Sequence, residues 1–277
     1  MTSHAHVEPL NAWADESLAS RVGAFIYKTG VIAELELRRL FHDPSELVTR
    51  AVQPALWLLI FGETFTRVRA IPTGGVPYLD FMAPGILAQS VLFVAIFSGI
   101  ALIWERDLGV VHKLFVSPTP RAALVTGKAL SAGIRCFSQV AIVYALAVML
   151  GVRMKWDLLS LAGVAAAVLV GAAAFATLSL IIASLVRTRE RFMGIGQLMT
   201  MPLFFASNAI YPLAIMPPWL HIVARANPLS YEVDALRTLM LPGGQSAFGL
   251  PVDFGILTAT AVLLITIGAY VYPRVVR

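Results

Sequence analysis

The stretch WERDLGVVHKLFVSPTPRAALVTGK, Trp104 to Lys128, decides how the chain is read. It is a polar, basic island between two long apolar runs. Leu108, Val111 and Phe115 recur at i, i+3 and i+7 and share one helical face, while Glu105, Arg106, Gly109, His112 and Lys113 take up the rest of the surface. Ser117-Pro118-Thr119-Pro120 stops that helix, because neither proline can donate the next backbone hydrogen bond. A short rigid helix held between two membrane spans is suited to push, or be pushed by, a partner. The same residues also fit an ordinary loop lying on lipid headgroups.

The apolar runs on either side set the class. Of 277 residues, 58% are hydrophobic and only 13% charged, with a mean hydropathy of +0.79. That composition excludes a soluble globular domain and leaves room for about six spans of roughly 20 residues each. No large extramembrane domain remains, so any ATP-hydrolysing or redox machinery must belong to another chain. The net charge of +5 does not point to nucleic acid, because the basic residues sit at membrane edges. A single cysteine, Cys136, excludes an internal disulfide. The first twenty residues lack an apolar signal core, and no cleaved leader is expected.

Outward from the island, residues 1–16 are expected to be disordered and 17–43 to form an amphipathic helix in the membrane surface. Ile26, Ala33, Leu37, Leu40 and Phe41 lie on one side of it, Lys28, Glu34, Arg38 and His42 on the other. Asp43-Pro44 ends that helix and opens the next, as N-cap and first-turn proline. Six spans are expected at 45–66, 81–103, 131–151, 158–186, 192–214 and 254–273. Of the 21 Lys and Arg residues, 15 then fall on the side of residues 1–50, the 104–128 loop with its continuation to Arg135, Arg187 to Arg191 and the C-terminus, and 6 on the other. The positive-inside rule places both termini and the 104–128 loop in the cytoplasm of a cell inner (plasma) membrane.

Several runs carry breaks. Ala83-Pro84-Gly85 opens the second span, and Ser98-Gly99 lets it bend. In the fourth, Gly163, Ala167 and Gly171 repeat every four positions, a stripe that suits close helix packing inside one subunit or a dimer seam. Pro202 interrupts the fifth. Between Tyr211 and Leu241, two helices too short to cross are separated by Asn227-Pro228. They read as a re-entrant hairpin over 216–241; a plain loop would expose Leu220, Ile222, Val223, Leu229 and Leu236. The expected fold is thus all-α and integral to the membrane, with residues 44–277 forming one six-span domain.

Catalytic motifs are missing. Gly127-Lys128 is followed by Ala129 where a phosphate-binding loop needs Ser or Thr, and the histidines are scattered without metal-ligand spacing. Within the expected spans only Glu46, Arg50, Glu63 and Arg135 are charged, all near an end, and no carboxylate relay for proton or sodium coupling is evident. The chain reads as a transport pathway without its own engine. It binds no cofactor itself.

With those motifs in order, the sequence resembles the permease subunits of the type-2 ABC exporter family, which includes drug, polyketide-antibiotic and nodulation-factor exporters. The resemblance is carried by Tyr78 with Ala83-Pro84-Gly85-Ile86, by Glu105, Arg106, Gly109, Ser117-Pro118, Arg121 and Gly127-Lys128, and by Pro217-Pro218-Trp219-Leu220 with Asn227-Pro228-Leu229-Ser230-Tyr231 and Arg237. It implies a coupling helix in the 104–128 loop and two re-entrant helices before the last span. Two permease subunits, identical or closely related, would form the pathway, and two ATPase subunits holding ATP and Mg would drive it. Ser207-Asn208 departs from the Ser-Gly pair of many relatives.

Glu105, Arg106, Leu108, Gly109, Lys113 and Phe115 are the expected contacts to the ATPase subunits. Gln89, Phe93, Phe97, Gln197, Phe204, Ser207 and Asn208 are the candidates for the pathway. A lining so poor in fixed charge favours a lipophilic or amphiphilic load, a drug or lipid-like product, with a lipid-linked glycan as the runner-up. A lipid-modifying membrane enzyme, a secondary transporter and a non-transporting scaffold are the readings of other classes.

Overall fold

The computed structural model describes residues 44–68, 71–73, 75–108, 121–186 and 188–272. The expected surface helix over 17–43, the segment 1–16, and the positions Asp43, Gly109, Lys113 and Phe115 lie outside them. Among the described residues all regular structure is helical, as the hydrophobic patterning requires.

Helix α1, Pro44–Leu56, begins with proline at its first position and contains Pro54. A proline there lacks an N–H and its ring crowds the preceding turn. The chain responds with a π-helical stretch over Trp57–Gly62 before α2, Glu63–Val68. After a turn the chain enters α3, Tyr78–Phe97, the most enclosed helix of the bundle. Its Gly85 is obligatory for a steric reason: a Cβ there would collide with the main chain of Ala209. Tyr78 Oη reinforces the same approach by donating to the Ile210 carbonyl at 2.9 Å.

Helix α4, Ile100–Asp107, continues α3 after the Ser98-Gly99 break. Gly99 packs against Ser179 of the facing helix, and its N–H donates to Ser179 Oγ at 3.2 Å. The sequence-predicted bend is therefore also a pinning point. Helix α5 runs over Arg121–Met149 and α6 over Leu158–Leu185. Asp157 caps α6 by accepting from the Ser160 N–H at 2.9 Å. That bond holds its carboxyl below the usual carboxylate range.

The stripe of small residues on α6 receives a helix of its own chain. A Cβ on Gly163 would press on Leu239 and one on Gly171 would strike the Glu232 carboxyl. Both partners belong to α9, Pro228–Met240. Helix α7, Arg189–Phe205, stops well before residue 214, where the sequence places the end of the fifth span. The reason is remote in sequence: Asn227 Nδ2 donates to the Leu203 and Ala206 carbonyls at 2.7 and 3.1 Å. Those are carbonyls a helix end leaves open.

The same Asn227 caps α9, its Oδ1 accepting the Leu229 N–H at 3.0 Å. Helix α8, Pro218–Ala226, precedes it, so the two short helices expected over 216–241 are present. Only the second is buried; α8 leaves Trp219, Ile222 and Val223 exposed. Helix α10, Leu250–Val271, closes the chain.

Among the described residues, four helices are long and apolar enough to cross a membrane: Tyr78–Asp107 through the Ser98-Gly99 break, Leu124–Met149, Leu158–Leu185 and Leu250–Val271. The protein is integral to the membrane. The first expected span is divided by Pro54 and the π stretch. The 17 residues of α7 rise about 26 Å at 1.5 Å per residue, a little under the roughly 30 Å of a bilayer's hydrocarbon core.

One apolar core joins α3, α5, α6 and α9. A second, smaller cluster of Leu102, Ile103, Val125, Leu180, Phe192 and Tyr272 gathers the ends of α4, α5, α6, α7 and α10. It lies at the end of the bundle that carries the 104–128 loop.

Candidate functional site

The end of α4 is the stem of that loop, and it is tied to its neighbours by charge. Glu105 forms an ion pair with Lys128 on α5. Arg106 Nη1 donates to the Val186 carbonyl at 3.0 Å, just past the end of α6. Asp107 Oδ2 accepts from Arg189 Nη2 at 3.0 Å, and the Arg189 guanidinium lies 4.2 Å from the centre of the Trp104 ring. Three elements therefore meet at one joint: the loop stem, the start of α5 and the α6–α7 turn.

The joint divides the predicted contact residues. Glu105 and Arg106 spend their charge inside the subunit, whereas Leu108 is 74% exposed. The remaining three, Gly109, Lys113 and Phe115, fall beyond it in the undescribed part of the loop.

Energetically such partly exposed pairs stabilise little, about 0–1 kcal/mol each. What they fix is geometry. Arg106 and Arg189 each bind a group on the far side of the loop, so a displacement of α4 pulls on the α6–α7 turn. The second apolar cluster sits directly behind these residues.

The predicted pathway residues are not gathered into one cavity. Gln89 is buried in α3, and its Oε1 has no hydrogen-bond partner. Phe93 and Phe97 pack on each other with ring centres 4.5 Å apart. Gln197 is exposed on α7. Phe204 is buried against Trp57 at 5.4 Å, edge to face. Ser207 turns back to the Phe204 carbonyl at 2.7 Å. Asn208 is the member that reaches a cavity.

That cavity, of about 790 Å3, opens at the end of the bundle away from the loop. Asp80, Phe81, Arg153, Asn208, Asp234 and Arg237 are among its walls. Arg237 Nη2 donates to the Asn208 carbonyl at 2.8 Å and more weakly to the Phe81 carbonyl at 3.4 Å. Its guanidinium covers the Phe81 ring at 3.8 Å. Lys155, between α5 and α6, ties that turn to α9 by donating from Nζ to the Thr238 carbonyl at 2.9 Å.

Sequence reasoning missed the carboxylates of this half of the molecule. Glu232 is fully buried against Gly171, with neither oxygen hydrogen-bonded. Ser246 Oγ donates towards Asp234 Oδ2 at 2.7 Å and Asp253 Oδ2 at 2.8 Å, so two carboxylates share one hydroxyl proton. Asp234 Oδ2 also accepts the Ala247 and Phe248 N–H groups at 2.7 and 3.2 Å. The available signal was the glycine at position 171, whose missing side chain makes room for the Glu232 carboxyl.

With this geometry in place, comparison with known proteins is informative. Residues 27–241 match the family described as ABC-2 type transporter. The chain is 29% identical over 219 residues to the protein named transport permease ycf38 of Cyanophora paradoxa, covering 78% of this chain and 74% of the relative. It is 26% identical over 236 residues to the daunorubicin resistance ABC transporter permease protein DrrB1 of Streptomyces coeruleorubidus, 85% and 81% of the two chains. To nodulation protein J of Rhizobium leguminosarum bv. trifolii it is 26% identical over 199 residues, 71% and 74%.

Proposed function

The chain belongs to the ABC-2 type transporter family, and on that premise we propose that it is the membrane subunit of an ATP-driven exporter. Two copies, or one copy with a close relative, form the pathway, and two separate ATPase subunits carrying ATP and Mg drive it. The observation that carries this reading is the joint at the loop stem. A loop with no mechanical task has no need of Arg106 on the Val186 carbonyl and Asp107 on Arg189. On this reading Leu108, Gly109, Lys113 and Phe115 touch the ATPase, while Glu105 and Arg106 pass its movement to the bundle.

The subunit crosses a cell inner membrane six times, with the segment 44–68 and α7 beside the four long spans. Its termini and the 104–128 loop face the cytoplasm, in keeping with 15 of its 21 basic residues lying on that side. The pair α8 and α9 dips in from the outer side; exposed Trp219 and Ile222 on α8 suit lipid better than water. The load is a lipophilic or amphiphilic molecule. The names of relatives that confer daunorubicin and doxorubicin resistance support that class.

The test is ATP turnover by a co-purified ATPase, with and without this chain, together with ATP-dependent drug uptake into inverted vesicles. Glu105→Lys should lower both, and the exchange Glu105→Lys with Lys128→Glu should restore them. Turnover and uptake indifferent to the chain would remove the exporter reading. Failure of the exchange to restore transport would instead place Glu105 at the ATPase surface.

A further inference from the structure

The cavity at the end of the bundle away from the loop carries its own chemistry. Its walls hold two guanidinium groups, Arg153 and Arg237, and two carboxylates, Asp80 and Asp234. Oppositely charged side chains lining one cavity usually pair. Here, among the described residues, neither arginine forms an ion pair.

Arg237 is instead pinned by neutral partners, the Asn208 and Phe81 carbonyls and the Phe81 ring. Those partners fix its position without cancelling its charge. Arg153 has an exposed side chain whose charge acts on the Asp80 carboxyl, beside a main-chain hydrogen bond to it, without closing an ion pair. Asp80 is almost fully buried at the first turn of α3. Asp234 directs one oxygen to three donors of its own chain.

A cavity lined by two positive and two negative groups gives no net advantage to a simple anion or a simple cation. It favours a ligand that carries both charges. The volume of about 790 Å3 lies within the roughly 300–1,000 Å3 typical of small-molecule sites. The lining also includes apolar Leu213, Ile215 and Leu241, which suits a ligand with an apolar part.

We propose that this cavity binds a phosphate–ammonium zwitterion of the phosphoethanolamine type. The guanidinium groups take the phosphate, for which their planar donor fork is matched, and the Asp80 carboxylate takes the primary ammonium. A quaternary ammonium has no N–H to offer Asp80. The Phe81 face that would attract it is already covered by Arg237. The site therefore discriminates phosphoethanolamine from phosphocholine. In the orientation proposed above it faces the outer leaflet, but its binding chemistry does not depend on ATP or on the exporter reading.

Equilibrium binding to the purified full chain in a non-ionic maltoside detergent tests the proposal. The probes are dihexanoyl phosphatidylethanolamine, its phosphatidylcholine and phosphatidylglycerol counterparts, and glycerophosphoethanolamine. Saturable binding of the ethanolamine lipid, at least about tenfold tighter than the other two lipids, is expected, since one charge-assisted hydrogen bond accounts for that factor. Arg153→Gln, at an exposed side chain, should weaken it by about the same factor without changing the melting or elution profile.

Asp80→Asn should erase the preference for ethanolamine over choline. If that variant does not fold, the lipid comparison and Arg153→Gln decide alone. Competition by glycerophosphoethanolamine assigns the site to a free zwitterion, and lack of competition assigns it to the lipid; both support it. Equal affinity for the three lipids, or undiminished binding to Arg153→Gln, overturns it.

Discussion

Asn227 is the residue on which the late part of the fold turns, and its removal gives a graded test. Its Nδ2 satisfies the Leu203 and Ala206 carbonyls at the end of α7, and its Oδ1 caps α9 through the Leu229 N–H. The side chain is only 5% exposed, so water cannot readily replace it. Three net hydrogen bonds at about 1 kcal/mol each, one of them an N-cap worth about 1 kcal/mol itself, predict a loss of roughly 2–3 kcal/mol for Asn227→Ala. Asn227→Asp separates the two tasks. It keeps the cap on α9 but sets a carboxylate against two carbonyl oxygens, so it should be at least as damaging as alanine. The assay is reversible denaturant unfolding in mixed micelles followed by Trp fluorescence. A loss below about 0.5 kcal/mol for alanine, within the range of an ordinary surface substitution, or full stability in Asn227→Asp, would refute the claim that α7 ends because Asn227 ends it.

Two further outcomes are expected. Gly171→Ala drives a methyl group into the buried Glu232 carboxyl and should cost about 1–3 kcal/mol as overpacking. Pairing it with Glu232→Ala should recover part of that loss, a non-additivity of at least about 0.5 kcal/mol in the same unfolding assay. For orientation, an impermeant thiol reagent applied to intact cells should label Val76→Cys and leave Thr188→Cys unlabelled; labelling of the latter from outside would reverse the topology.

What the sequence made legible was local. Pro84-Gly85, Ser98-Gly99 and Asn227-Pro228 each announce a break or close approach through the chemistry of one or two residues. The structure places a contact at each: Ala209, Ser179 and the end of α7. The end of the fifth helix was misplaced because an apolar run reports only where a helix is allowed to continue. Where it stops depends on Asn227, 24 residues beyond Leu203 in the chain. The buried carboxylates were missed for a related reason. Glu232 and Asp234 stand in an arm too short and polar to count as a span, and their burial is a product of packing on α6 and α10. The joint, too, lay below the reach of pattern reading, since its bonds connect residues 23, 80 and 82 positions apart.

These distances matter for how a push on the loop would travel. Helix α4 is held at both ends, by the joint at Glu105 to Asp107 and by Gly99 against Ser179 on α6. Between the two lie Leu102 and Ile103, packed in the smaller apolar cluster with Phe192 of α7 and Tyr272 after α10. A packed cluster does not deform continuously; it moves as a unit or repacks. A force on the loop therefore has two routes: rotation of α4 about the Gly99 pin, or displacement of the α6–α7 turn through Arg106 and Arg189. The first leaves α3 still, because the Ser98-Gly99 break interrupts the helix between them. The second acts on α7, whose far end is fastened by Asn227 to the junction of α8 and α9. A movement begun at the loop can thus reach the opposite end of the bundle along α7, where Phe204 joins the larger core. The Glu105–Lys128 exchange probes the joint from which both routes start, since it preserves the tie of α4 to α5 while reversing its polarity.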